Sequence, residues 1–206
     1  MEMLELFPTV VGTTQRNDLS DHSAVFSALK NEWMGDPIDN LLCQTHSRIH
    51  KIKALDPITE FVTKSVVDYI QQHQFTFDPA DLYVASCWAN AGNTTSRTHS
   101  THYHFNSFVS AVYYLSVPEG SGALYFPHPT IQAYLLQPNI EQSNKFNSIG
   151  FQIRPQAGQC VVFRSSTAHG VHQNNLKPNH TRLSIGYTFN IKRLGENSHS
   201  SNYEEL

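Results

Sequence analysis

Leu82-Tyr83-Val84-Ala85-Ser86-Cys87-Trp88 is where the apolar pattern of this 206-residue chain changes period. Before it, apolar residues recur every three or four positions. From it onward, β-branched and aromatic residues come in short runs broken by Gly, Pro, Asn and Ser, as in strands joined by turns. The predicted strand runs are Leu82–Trp88, His102–His104, Phe108–Val117, Ala123–Phe126, Ile149–Ile153, Gln159–Arg164 and Arg182–Ile191. Pro118–Gly122, Pro127–Pro129, Pro155–Gly158 and Asn174–Asn179 supply turn chemistry between them. Upstream of Leu82, Asp56 as N-cap and Pro57 in the first turn open a predicted helix. Its stripe of Ile58, Phe61, Val62, Val66, Tyr69 and Ile70 suits packing on a sheet. Farther upstream, Ser20 or Asp21 caps a helix through Val25, Leu29 and Trp33, which Gly35, Asp36 and Pro37 stop.

Helices followed by many short strands predict an α+β chain, mainly β: a double-stranded β-helix, or jelly roll, with the N-terminal helices packed on one sheet. One domain over residues 1–193 is expected, with a helical front at about 18–75 and a β core at about 82–191. Residues 194–206 are polar and aperiodic, which predicts a frayed tail.

Composition limits the function classes. The net charge is −3, only 15% of residues are charged, and no Lys/Arg cluster is present, so the electrostatic footprint of a nucleic-acid or anionic-lipid binder is missing. No apolar stretch approaches bilayer length, and Met1–Val11 lacks the basic and apolar regions of a signal peptide, so a cytoplasmic, non-membrane protein is expected. Cys43, Cys87 and Cys160 are odd in number and widely spaced, which argues against a disulfide framework; they are read as reduced and buried. The compositional oddity is twelve histidines, of which His99, His102, His104 and His128 fall in the middle stretch.

His102 and His104 stand two apart at the entry of a strand-like run, and in a strand residues i and i+2 share a face. An H-x-H pair alone is a weak signal. A second element strengthens it: the apolar run Val161-Val162-Phe163 leads through a polar turn to His169. Jelly-roll connections bring such distant strands side by side, and three imidazoles on one side of an ion leave its opposite coordination positions open. The third element is Arg182 with Ser184, again two apart on a strand, a guanidinium fork and a hydroxyl suited to a carboxylate.

The order H-x-[D/E], here His102-Tyr103-His104, a long interval, a distal histidine after an apolar strand and then R-x-S resembles the 2-oxoglutarate/iron(II)-dependent dioxygenases. The match is closest to their prolyl-hydroxylase-like branch. Within it, the chain resembles a group of bacterial and phage proteins with an H-x-H-x-x-S segment followed by a "YYL" strand. Here these are His102-Tyr103-His104-Phe105-Asn106-Ser107 and Ser110-Ala111-Val112-Tyr113-Tyr114-Leu115. Leu6-Phe7-Pro8-Thr9, Pro118-Glu119-Gly120-Ser121-Gly122, and Pro155 with Gly158 also fit, so the likeness spans nearly the whole chain.

The resemblance implies iron(II) held by His102, His104 and His169, with 2-oxoglutarate as cosubstrate and O2 as co-reactant. It implies that Arg182, Ser184 and Tyr114 receive the distal carboxylate of 2-oxoglutarate. The reaction implied is decarboxylation to succinate and CO2 coupled to oxidation, usually hydroxylation, of an unactivated carbon in a small molecule or peptidyl residue. Most of the superfamily has Asp or Glu where this chain has His104, so an all-imidazole face is expected to hold the metal less tightly and to shift its redox chemistry. Either His104 is the third ligand, or it supports the site from outside while water or His99 takes that position. Trp88 and Asn90 are candidate cavity-lining residues, Tyr125 and His128 candidates for its mouth, and His172 and His180 are read as surface residues. Two other readings fit the residues: a cupin-like three-histidine dioxygenase that does not use 2-oxoglutarate, and a non-catalytic metal-binding jelly roll. Strand edges of such sheets can also pair across a homodimer.

Overall fold

The computed structural model describes residues 8–34, 42–73, 75, 77–93, 99–130 and 138–192, without the side chains of 42 and 43. The expected stop at Gly35-Asp36-Pro37, the residues Leu6 and Phe7, the tail from 194 to 206 and the burial of Cys43 fall outside the described residues.

Ten strands and two α-helices follow in chain order among these residues: β1 (Val11–Gln15), α1 (His22–Ala28), β2 (Leu42–Gln44), α2 (Asp56–Gln72), β3 (Leu82–Gly92), β4 (His99–His102), β5 (Val109–Ser116), β6 (Leu124–Pro127), β7 (Gly150–Ile153), β8 (Gln159–Arg164), β9 (His169–Val171) and β10 (Arg182–Ile191). They form a six-stranded sheet ordered β1-β8-β5-β10-β3-β2 and a four-stranded sheet ordered β4-β9-β6-β7. Every strand pairing in both sheets is antiparallel. This is the jelly roll, with its helices on one face of the larger sheet.

The period of two along each strand divides the residues between two jobs. On β10, Leu183, Ile185, Tyr187 and Phe189 join Val109, Ala111 and Tyr113 of β5 and Cys160 and Val162 of β8 in one core. Ile58, Val62, Val66, Tyr69 and Ile70 of α2 close that core from outside, each contributing about 1.5–3 kcal/mol by leaving water. Two polar contacts fix the helix over the sheet: the Tyr69 hydroxyl donates to the Val10 carbonyl at 2.9 Å, and Ser65 Oγ lies 2.9 Å from Thr14 Oγ1. The alternate residues face the smaller sheet, where Tyr114, Val161 and Phe163 meet Leu124 and Phe126. Arg182, Ser184 and Gly186 of β10 share this inner face by parity.

Several expectations are corrected. The first helix is α-helical only to Ala28 and tightens into a 3-10 turn over Leu29–Asn31, and Trp33 instead bridges to Thr45. Asp21 stands at the N-cap but makes no capping bond; its carboxylate takes both Arg16 amino groups, at 2.7 and 2.9 Å. Asp56 is the first helical residue of α2, and Leu55 holds the cap position. The front of the chain also supplies β1 and β2, because β8 and β3 offer them edges to pair with. The strand at the histidine pair is His99–His102, so His104 lies beyond its end.

Candidate metal centre

His102 closes β4 and His169 opens β9, and the two are register partners. Their ring centroids are 4.3 Å apart. His104 reaches the same place by another route than strand parity. After β4 the chain turns through Phe105 and Asn106, and Asn106 takes φ 59°, a left-handed conformation that Asn tolerates better than most residues. The His104 N–H donates to the Ser165 carbonyl at 3.1 Å, and the Ser165 N–H donates to the Phe108 carbonyl at 3.1 Å. Ser165, fully buried, is further fixed by its hydroxyl 2.8 Å from that of Ser110. The turn ahead of His169 therefore anchors His104 as well. The His104 ring lies 5.1 Å from His102 and 4.9 Å from His169 by centroid, and the three offer one nitrogen each within 4.8 Å of one another.

The ring nitrogens are prepared unequally. His102 Nδ1 donates to the Ser100 carbonyl at 2.8 Å, and His169 Nδ1 donates to the Thr167 carbonyl at 2.9 Å. A carbonyl can only accept, so Nδ1 carries the proton in both rings and Nε2 presents its lone pair, as a metal-ligating histidine requires. Burial pushes the His169 imidazolium down to about 3 and that of His104 to about 4, so both rings are neutral donors near pH 7. His99 stacks on His102 at 4.6 Å, lines the same cavity and is lowered to about 4, again by burial first. The cluster within mutual ligand distance is His102, His104 and His169, without His99.

The same cavity is also lined by a cation, Arg182. Arg182 is 6% exposed, and burial lowers its guanidinium from its ordinary value. One amino group donates to Ser184 Oγ at 3.3 Å, and the guanidinium lies 5.2 Å from the centre of the Tyr114 ring. Ser184 and Tyr114 face each other across β10 and β5. Arg182 Nε, Arg182 Nη2 and the Tyr114 hydroxyl are all buried without a hydrogen-bond partner among the described residues. Burial also holds the Tyr114 phenol above its ordinary value, so it stays a donor. A buried cation with no counter-ion costs several kcal/mol, and unpartnered donors of a guanidinium and a neighbouring hydroxyl fit a carboxylate.

Trp88, Asn90, Gly92 and Gly186 line the same cavity. Asn90 pairs with Ser184 across β3 and β10, and its Oδ1 accepts from Gln44 Nε2 at 2.7 Å, which leaves its amide N–H groups for the cavity. Of the eleven residues singled out for the site in the sequence, His99 and His128 included, nine line this cavity. Tyr125 does not: its half-buried ring lies against His172, 5.0 Å away, and His172 lines the cavity while remaining exposed. The mouth residue on this side is thus His172, which the sequence reading had assigned to the surface alone. His128 makes its contact with Thr130 instead, and His180 is exposed. Asn174 was missed altogether; it is buried, lines the cavity and accepts from the Gly122 N–H at 2.8 Å.

Residues 86–190 match the sequence family described as "Putative 2OG-Fe(II) oxygenase". No curated protein sequence matches the chain. Among solved structures, a Pseudomonas putida prolyl-4-hydroxylase is 17% identical with TM-score 0.57, covering 90% of this chain and 94% of its own. HygX from Streptomyces hygroscopicus, solved with nickel and 2-oxoglutarate bound, is 11% identical with TM-score 0.57, covering 96% and 87%. The non-haem α-ketoglutarate-dependent epimerase SnoN from nogalamycin biosynthesis is 12% identical with TM-score 0.59, covering 89% and 78%. At these identities the likeness is one of fold.

Proposed function

The chain belongs to the 2OG-Fe(II) oxygenase family, and from that membership we propose that it is a 2-oxoglutarate-dependent dioxygenase that hydroxylates an unactivated carbon of a small molecule or peptidyl residue. His102, His104 and His169 hold iron(II). Arg182, Ser184 and Tyr114 receive the distal carboxylate of 2-oxoglutarate. The observation that carries the reading is the buried Arg182 guanidinium, with two nitrogens unpartnered among the described residues beside an equally unpartnered Tyr114 hydroxyl, in one cavity with three clustered imidazoles. The donor set suits a divalent ion, and the guanidinium in the same cavity suits a carboxylate.

When bound, iron(II) and 2-oxoglutarate activate O2, giving succinate, CO2 and oxidation of the substrate carbon. The chain's own part is placement. His102 and His169 keep their lone pairs aimed by donating Nδ1–H to Ser100 and Thr167. Arg182 and Tyr114 hold the cosubstrate at its far end, so that orientation is settled before reaction. The apolar residues Leu124, Val112 and Val171 in the wall keep water away from the reacting centre.

Anaerobic titration of the iron(II) protein with 2-oxoglutarate tests the proposal. A visible metal-to-ligand charge-transfer band that saturates at one equivalent is expected, followed by succinate formation on admission of O2. A bound metal that gives neither would move the assignment to a dioxygenase that binds its substrate directly.

The cavity also restricts the substrate. Among the described residues, no Asp or Glu lines it. From Leu82 to Lys192 the sequence contains only two acids, Glu119 and Glu141, and Glu119 is turned outward to Lys177. An ammonium group brought here would find no counter-charge, whereas the Asn90 amide offers donors to a carbonyl or carboxylate. In a screen for substrate-stimulated succinate formation, neutral amides and carboxylates are expected to stimulate, and polyamines, aminoglycosides and lysyl peptides to be inert. Stimulation by polycations alone would overturn this restriction.

A further inference from the structure

The three imidazoles are not held alike, and on the metal-site reading above we infer that Trp88 is the positioning residue for His104. His102 and His169 are each fixed by a ring N–H donated to a carbonyl two residues upstream. His104 has no such bond among the described residues. What its ring has is the indole of Trp88, at a centroid distance of 5.3 Å and an interplanar angle of 58°. Trp88 is thus the neighbour outside the histidine cluster against which the His104 ring rests among the described residues.

The indole is itself fixed by an unusual piece of backbone. Trp88 on β3 is the register partner of Gly186 on β10. A Cβ at position 186 would come within 2.8 Å of the indole carbons Cε2 and Cζ2 and 3.2 Å of Nε1. Glycine weakens the middle of a strand and often marks a close approach, and here the approach is that of the indole plane to the backbone of β10. The rigid bicycle thus lies against the β10 main chain at Gly186 and also packs on the His104 ring. The chain of support runs Gly186, Trp88, His104, and each link is a packing contact rather than a hydrogen bond.

Packing constrains a ring's position more than its rotation, and it does not choose which nitrogen carries the proton. His104 is then the adjustable ligand of the three, fixed in tautomer by the metal itself. Outer-sphere partners of metal ligands are worth about 10–100-fold in metal affinity, and Trp88 belongs in that range although its indole makes no hydrogen bond to His104.

The test uses cobalt(II) as probe, bound to the full chain and to three variants: Trp88→Ala, Trp88→Phe and Gly186→Ala. Affinity is read by competition with a chromophoric chelator, and the ligands by paramagnetically shifted imidazole resonances in ¹⁵N-histidine-labelled protein. Wild type is expected to show three shifted imidazoles. Trp88→Ala is expected to weaken cobalt binding about tenfold and to move or broaden one imidazole signal while the other two stay. Trp88→Phe, which keeps an aromatic face for His104, is expected to recover affinity to within about threefold of wild type. Gly186→Ala displaces the indole without removing it and carries the same expectation as Trp88→Ala, so the idea stays testable if the alanine variant at 88 does not fold. Wild-type affinity and three unmoved signals in both Trp88→Ala and Gly186→Ala would overturn the role of Trp88 alone. A wild-type protein without three imidazoles on cobalt would overturn the metal-site reading and this inference with it.

Discussion

Replacing His169 by alanine is expected to abolish stoichiometric binding of iron(II) or cobalt(II), a loss of more than about 100-fold in affinity, beyond what removal of an outer-sphere partner costs. His169 is the hub of the cluster, 4.3 Å from His102 and 4.9 Å from His104 by ring centroid, and it is the most buried of the three. Its Nδ1–H is held by Thr167, and its ring is walled by Phe163 at 4.6 Å, so it cannot be replaced by a neighbour swinging inward. His99 is the nearest spare imidazole, but it stacks behind His102 and is not within mutual ligand distance of the cluster. The variant leaves a small void beside Phe163 and Phe126 and should cost the apo fold about 2–3 kcal/mol, little enough for it to remain folded. Metal content after anaerobic loading, with far-ultraviolet circular dichroism to confirm the fold, checks the result. A folded His169→Ala protein that still carries one equivalent of iron would remove the ion from this position.

The parts of this site that were legible in the sequence are those governed by strand parity and by turn chemistry. Arg182, Ser184 and Gly186 alternate with Leu183, Ile185 and Tyr187, and the period of two alone sends the first set away from the helices. The stripe on α2 was equally plain, because every fourth or third residue from Ile58 to Ile70 is apolar. His104 was expected in the right company for the wrong reason. It is not on the strand of His102, and its place comes from the left-handed turn at Asn106 and the bond to Ser165, neither of which a pattern of apolar residues encodes. β1 and β2 were invisible because Val11–Gln15 is mostly polar and Leu42–Gln44 is three residues long. Their pairing with β8 and β3 is decided by residues far along the chain. Gly186 carried a usable signal, since glycine within a run of β-formers marks a close approach, but its partner Trp88 can be named only once the register of β3 on β10 is known.

Arg182→Met is expected to separate the two halves of the site by leaving metal binding intact and removing 2-oxoglutarate binding. Removing one partner of a buried, hydrogen-bonded charge pair costs about 2–5 kcal/mol, which is roughly 30- to 4,000-fold in affinity. The effect on the protein without cosubstrate runs the other way. In the wild type, Arg182 Nε and Nη2 are buried with no partner among the described residues, so the folded state carries a desolvated charge that Ser184 and the Tyr114 ring offset only in part. Methionine fills a similar volume without that charge, and replacing buried ionic groups by apolar ones is neutral to stabilising by about 1–4 kcal/mol. Thermal unfolding of the manganese-loaded proteins reads both effects at once. Wild type is expected to start lower and rise on addition of 2-oxoglutarate, whereas Arg182→Met starts level or higher and does not respond. Tyr114→Phe is expected to fall between them, because it loses one neutral donor and leaves the guanidinium, weakening 2-oxoglutarate about 3- to 10-fold. If Arg182→Met still gained the wild-type increment from 2-oxoglutarate, the buried guanidinium would have some other anion as its partner, and the dioxygenase assignment would lose the observation on which it rests.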